Sequence, residues 1–284
     1  MERALVELGL QNHLHFALIL IAVGILGAYV AGLFGIGGGI VLVPAFVTIF
    51  PHFGAAHAVI MHTAVGTCLA LIVPGAIMSA RRQHEQGNLD LALLRSWLPG
   101  ICAGIVVGSL LMSLFPTTAL KLFFVIFLLS ATVYASIKTD RSGASESVPP
   151  RVARMIVGPL IGALSVVLGI GGGTFTVPFY RFYRYPLKRA IALSSATGAF
   201  IGLGGAIGAI FAGWGVDGRP PPSLGYVAIT PFLIITPCMM IFAPLGSRSA
   251  NALPEKLLKR VYVFFLAGMT IYMGYQTYVD LQAP

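Results

Sequence analysis

Two glycine runs are the residues of this chain best suited to do chemistry. Gly35-Ile36-Gly37-Gly38-Gly39 is followed by Val43-Pro44, and Gly169-Ile170-Gly171-Gly172-Gly173 by Val177-Pro178. Four glycines in five residues give a backbone that can take positive φ and let a ligand approach the main chain directly. An apolar stretch of roughly ten residues follows each run, about half the length needed to cross the hydrocarbon core. Helices starting near Ile40 and Thr174 would aim unpaired N–H groups and a positive dipole end at that ligand, an arrangement that favours anions. Glycine also serves helix packing, and Gly100-x3-Gly104-x3-Gly108, Gly158-x3-Gly162 and Gly204-x3-Gly208 read as packing faces. The doubled run is richer in glycine than packing requires, and irregular backbone at membrane depth tends to line a cavity. Gly35, Gly37, Gly38, Gly39, Gly169, Gly171, Gly172, Gly173 and Thr174 are therefore candidate substrate-binding residues.

Hydroxyls form the second candidate group. One apolar stretch begins with Ser194, Ser195 and Thr197, and a matching one carries His62, Thr63 and Thr67. His62 aligns with Ser194, and Thr63 with Ser195, so each half of the chain could complete an oxyanion site. Ser and Thr on apolar helices also bond back to their own carbonyls, and both uses remain open here. His62 either couples a proton to function or is a hydrogen-bonded structural residue. All nine carboxylates, from Glu2 to Asp280, fall in loops or near segment ends, and no Lys or Arg is evident at mid-depth. Recognition chemistry is then left to amides, helix ends and hydroxyls. Cys68, Cys102 and Cys238 sit in apolar runs without ligand spacing, so neither a metal nor a cofactor is expected. With no H-E-x-x-H, no G-x-S-x-G and no paired carboxylates, an enzyme is disfavoured.

The elements that hold these groups follow from composition. The chain has 284 residues, 57% hydrophobic and 10% charged, with a mean hydropathy of +0.90. Soluble domains carry about 25% charged residues, so this is an all-α polytopic membrane protein. Its N-terminal apolar stretch is too long for a signal h-region and is read as a retained first helix. Ten apolar segments lie at about 14–34, 40–50, 55–80, 91–115, 118–137, 152–169, 174–182, 190–213, 224–247 and 257–279. Prolines 74, 99, 231, 237 and 244 fall inside the long ones, as hinges or as fixed kinks. A polar linker at 138–150 divides the chain into repeats at 1–137 and 151–284. Besides the glycine runs, Ala64-x-Gly66 recurs as Ala196-x-Gly198, and Pro99, Gly108-Ser109, Pro116 and Lys121 recur as Pro237, Gly246-Ser247, Pro254 and Lys259. The copies differ where Thr174 and Thr176 replace apolar residues, so a site between them need not be symmetric.

Charge sets the orientation. The net charge is +9, which signals lipid-facing loops here, since no basic stripe interleaves with aromatics to suggest nucleic acid. Fifteen of the 18 Lys and Arg fall in loops on one side, leaving Arg3, Lys121 and Arg219 on the other. By the positive-inside rule the fifteen are cytoplasmic and both termini face out of an inner (cytoplasmic) membrane. Five segments per half is odd, so the halves have inverted topology. The short segments after the glycine turns are half-helices. Such repeats are a plan of secondary transporters, with substrate at mid-depth between the halves.

The doubled G-I-G-G-G-x-x-x-V-P with the A-x-G pairs resembles the TauE/SafE family of sulfite and organosulfonate exporters, over residues 20–279. The resemblance implies export of a small sulfur oxyanion across the cytoplasmic membrane, whereas the residues alone imply only a small anion. Alternatives are an anion channel of the same architecture, or a permease or importer for another anion. The expected partners are a small anionic substrate and the lipid bilayer, with a homodimer as a candidate assembly.

Overall fold

A computed structural model describes residues 2–34, 38–137 and 148–282. Among the described residues there are ten α-helices: α1 (Glu2–Phe34), α2 (Gly39–Ile49), α3 (Ile60–Glu85), α4 (Leu91–Leu114), α5 (Thr117–Ser136), α6 (Arg151–Leu168), α7 (Gly173–Phe182), α8 (Leu187–Ala212), α9 (Ile229–Ala252) and α10 (Glu255–Gln282). A two-stranded hairpin, β1 (Ser223–Leu224) and β2 (Val227–Ala228), precedes α9. Eight helices are long and apolar enough to cross a membrane. The other two, α2 and α7, have 11 and 10 residues. At 1.5 Å per residue each covers only about half of the hydrocarbon core. The all-α polytopic character expected from composition holds, and the ten expected segments correspond in order to the ten helices.

Local chemistry explains the boundaries. The Asp90 carboxylate accepts the Leu93 amide at 2.9 Å and caps α4. Prolines 116, 150 and 186 stand immediately before α5, α6 and α8, where a missing N–H costs nothing. Gly169, at φ +65°, ends α6, and Gly38, at φ +82°, starts α2; only glycine adopts these left-handed conformations cheaply. Pro74, Pro99, Pro237 and Pro244 lie inside continuous helices.

The two halves of the chain are interleaved. α1 packs along α9 and α4 along α6, so the first helix of each half docks on the fourth helix of the other. α3 crosses α8 at the centre, and α5 pairs with α10. Glycines make these contacts close. A side chain at Gly32 would strike the Ala243 carbonyl, and one at Gly246 the Tyr29 carbonyl, between α1 and α9. Gly104 lies in the same way against the Pro159 carbonyl, and Gly162 against that of Ile101, between α4 and α6. The glycine spacings read as packing faces do serve that purpose. At the centre the two turns meet: a side chain on Gly39 would land on the carbonyl oxygen of Gly169. Gly35 and Gly37 lie outside the described residues, as does most of the 138–150 linker.

Candidate functional site

A cavity of about 1420 Å³ opens between α1, α3, α5, α7, α8, α9 and α10. Arg82, Gln83 and Lys259 mark its mouth, and its walls are largely apolar, with Met78, Phe127 and Met239 among them. At the mouth the Lys259 ammonium donates to the Ile137 carbonyl at 3.1 Å. Gly173, Thr174 and Phe175, the first turn of α7, reach the cavity, and the Phe175 ring lies against that of Phe127, centroids 5.3 Å apart. Ser194 and Ser195 line it from α8. The Ser195 hydroxyl donates to the Ile191 carbonyl at 3.0 Å and pairs with the Ser79 hydroxyl of α3 at 2.9 Å.

The start of α7 is rich in unpaired donors. The Gly172 carbonyl accepts the amides of Phe175 and Thr176. Among the described residues, no backbone carbonyl outside the helix takes the amides of Gly171, Gly172, Gly173 or Thr174, as expected for a helix N-terminus. The hydroxyls of Thr174 and Thr176 are buried and unpartnered, as is that of Ser165 in the last turn of α6. Thr176 has no exposed surface. Its oxygen lies 3.4 Å, and that of Thr197 3.2 Å, from where a Gly172 side chain would begin. Thr197 donates to the Ser194 carbonyl at 3.1 Å.

The first half presents a different surface. Gly38 and Gly39 are buried away from the cavity. A side chain at Gly38 would meet the methyl groups of Met239, Ala31 and Leu42 at 3.1, 3.6 and 3.6 Å. His62 and Thr63 also lie apart from the cavity. The Thr63 hydroxyl donates to the Val59 carbonyl at 2.9 Å. The His62 Nε2 is 3.0 Å from the Phe115 carbonyl, its Nδ1 3.4 Å from the Thr117 hydroxyl, and its ring 5.0 Å from Tyr226. Tyr226 sits on the β-hairpin loop, and Thr67 of α3 accepts the Ala228 amide at 3.0 Å. This hairpin packs against the N-terminal half of α3, at the opposite end from the cavity mouth. The candidate donors are thus divided: Gly173, Thr174, Ser194 and Ser195 share the cavity, with Gly171, Gly172 and Thr197 buried just behind it.

Two groups escaped the sequence reading. Lys121, expected in an outer loop, is buried in α5 with 2% of its side chain exposed, and pairs with Asp280 at the end of α10. The other Asp280 oxygen is 3.0 Å from His57 Nε2. No local pattern signals a pair 159 positions apart. The other is Ser165, detectable by the comparison of copies that singled out Thr176, since its counterpart is Ala31.

A helical bundle of membrane-crossing length, with two half-length helices meeting at its centre and a deep cavity beside them, defines a membrane transport protein. The chain belongs to the Sulfite exporter TauE/SafE family, whose pattern it matches over residues 20–273. It is 35% identical over 260 residues to a probable membrane transporter protein of Haemophilus influenzae, covering 91% of this chain and 98% of that one. A probable membrane transporter protein of Methanocaldococcus jannaschii is 29% identical over 262 residues, 90% of this chain and 94% of its own. Another, YunE of Bacillus subtilis, is 25% identical over 64% of this chain and 76% of its own. No solved structure matches.

Proposed function

We propose that this transporter exports a small sulfur oxyanion, sulfite or an organosulfonate, by alternating access between two inverted repeats of five membrane segments. The observation that carries the reading is the cavity ending on the first turn of α7, where Gly173 and Thr174 reach a lining that holds no carboxylate among the described residues, with the unpaired Thr176 hydroxyl buried just behind it. A helix N-terminus of this kind attracts anions. Inversion is supported by the reciprocal docking of α1 on α9 and α6 on α4, and by the recurrence of the glycine motif. The basic loops make the cavity mouth cytoplasmic. The described state is then open inward, the loading state of an exporter, with both termini outside an inner membrane.

The test is flux of labelled sulfite and of an organosulfonate in reconstituted vesicles, with and without a pH gradient. Saturable, counter-substrate-stimulated exchange is expected. Flux at channel rates without saturation would replace the transporter mechanism by a channel, and no flux of either anion would reject the substrate.

Ser194→Ala combined with Ser195→Ala should slow that exchange with expression intact. Lost hydrogen bonds to a charged group cost about 1.5–3 kcal/mol each, a roughly tenfold or larger effect on affinity. Ser109→Ala should leave it near the parent value, because Ser109 packs against Gly208 between α4 and α8. Equal activity of the two variants would remove the serines from the site.

A further inference from the structure

We infer that the two glycine turns have unlike roles: the second alone holds the anion, in a cradle of neutral donors that selects a singly charged sulfonate head. This deepens the functional reading above and rests on it.

The asymmetry is written position by position. Around the second turn stand Ser165, Thr174, Thr176 and Thr197; their counterparts around the first are Ala31, Ile40, Leu42 and Val65. Four hydroxyls stand against four aliphatic side chains, so these positions give the first turn no side-chain donor. The described packing agrees, because Gly38 faces only methyl groups, whereas Gly172 faces the oxygens of Thr197 and Thr176 beside the Ile201 methyl.

The hydroxyls of Thr174 and Thr176 also differ from the threonines of other helices. Thr48, Thr63, Thr132, Thr236, Thr270 and Thr277 each donate to the carbonyl four residues earlier. That is the ordinary resting place of a helical threonine in an apolar setting. Thr174 and Thr176 make no such bond, although both oxygens are buried. A buried donor is rarely left unpaired, so these two point to an acceptor that the protein itself does not supply. Thr174 is on the cavity lining, and Thr176 lies one layer deeper, beside Gly172. An oxyanion at the first turn of α7 meets Thr174 on the lining, and gains Thr176 when the Ile201 methyl packed beside Gly172 moves aside.

The charge of the ligand follows from what the cradle lacks. Among the described residues, the cations on the cavity lining are Arg82 and Lys259, both at the mouth. Dipoles from amides and hydroxyls stabilise an anion in proportion to its charge. The Born cost of removing an ion from water, already large for one charge, grows with the square of it. A neutral cradle therefore tolerates one negative charge far better than two. Apolar walls formed by Phe127, Phe175 and Met239 suit the short carbon tail of a sulfonate.

Binding of methanesulfonate and of sulfate to the purified full-length protein, by calorimetry in detergent, tests this. Methanesulfonate should bind the parent at least tenfold more tightly than sulfate. Thr176→Val should weaken methanesulfonate binding by about tenfold or more, Thr176→Ser should restore it, and Leu42→Thr should change nothing. Thr176→Val binding like the parent, Leu42→Thr altering affinity, or sulfate binding as tightly as methanesulfonate would each overturn the inference. A parent that binds and transports no sulfur oxyanion would instead reject the functional reading beneath it.

Discussion

Gly39→Ala is expected to leave little folded protein in the membrane. The new methyl group would occupy the position of the Gly169 carbonyl oxygen, where the two glycine turns cross. Neither side can yield. Gly39 opens α2, whose residues Ile40, Leu42, Val43 and Phe46 are all buried. Gly169 is held at φ +65° with its amide bonded to Val166 and Val65 and Val43 packed on its α-carbon. Overpacking against movable side chains costs about 1–3 kcal/mol, and a backbone obstacle should exceed that. The contrast is Gly172, where an added methyl would meet only the ends of Ile201, Thr197 and Thr176 at 3.0–3.4 Å. Fluorescence-detected size exclusion of the solubilised variant measures the result. A monodisperse Gly39→Ala protein with the parent's thermal midpoint would show that the turns do not touch as described.

Asp280→Asn should cost about 3–5 kcal/mol of stability, the range for removing one partner of a buried ion pair. Lys121 has 2% of its side chain exposed and Asp280 14%, so the lysine is the charge left stranded in the variant. His57 cannot replace the carboxylate, being itself held by it. These three residues join α5, α10 and the segment before α3 at the end opposite the cavity mouth. Replacing both partners, Lys121→Met with Asp280→Leu, should recover most of the loss, because no charge then remains without its counterion. Thermal unfolding in detergent is the measurement. Parent-like stability of Asp280→Asn would mean that Lys121 reaches water.

Much of the fold was legible because the sequence signals were local. Segment lengths, the prolines before α5, α6 and α8 and the short stretches after each glycine run all carry their meaning within a few residues. The third segment begins at Ile60 instead of 55, since Gly54 at φ +76° and two short helical turns intervene first. The candidate site was legible only in part. Gly173, Thr174, Ser194 and Ser195 line one cavity. His62 and Thr63, read from the same alignment, bond to carbonyls instead, because residues matched in sequence face different surroundings at the two ends of the bundle. The Lys121–Asp280 pair needed the folded arrangement of α5 and α10, which no local pattern encodes. Thr176 carried a signal that comparison of the copies could reveal, in the replacement of Leu42 by a hydroxyl.

The contact of Gly39 with the Gly169 carbonyl also has a mechanical side. An interface filled with side chains can slip, since rotamers exchange one set of contacts for the next. Two bare backbones pressed together have no such intermediate positions and can only roll on one another. Under the alternating access proposed above, the crossing would act as the fulcrum of a balance, from which the helix ends of both halves extend as lever arms in opposite directions. A tilt too small to disturb the fulcrum would be multiplied along those arms, so that drawing the helix ends together at the cavity mouth would spread them at the hairpin end.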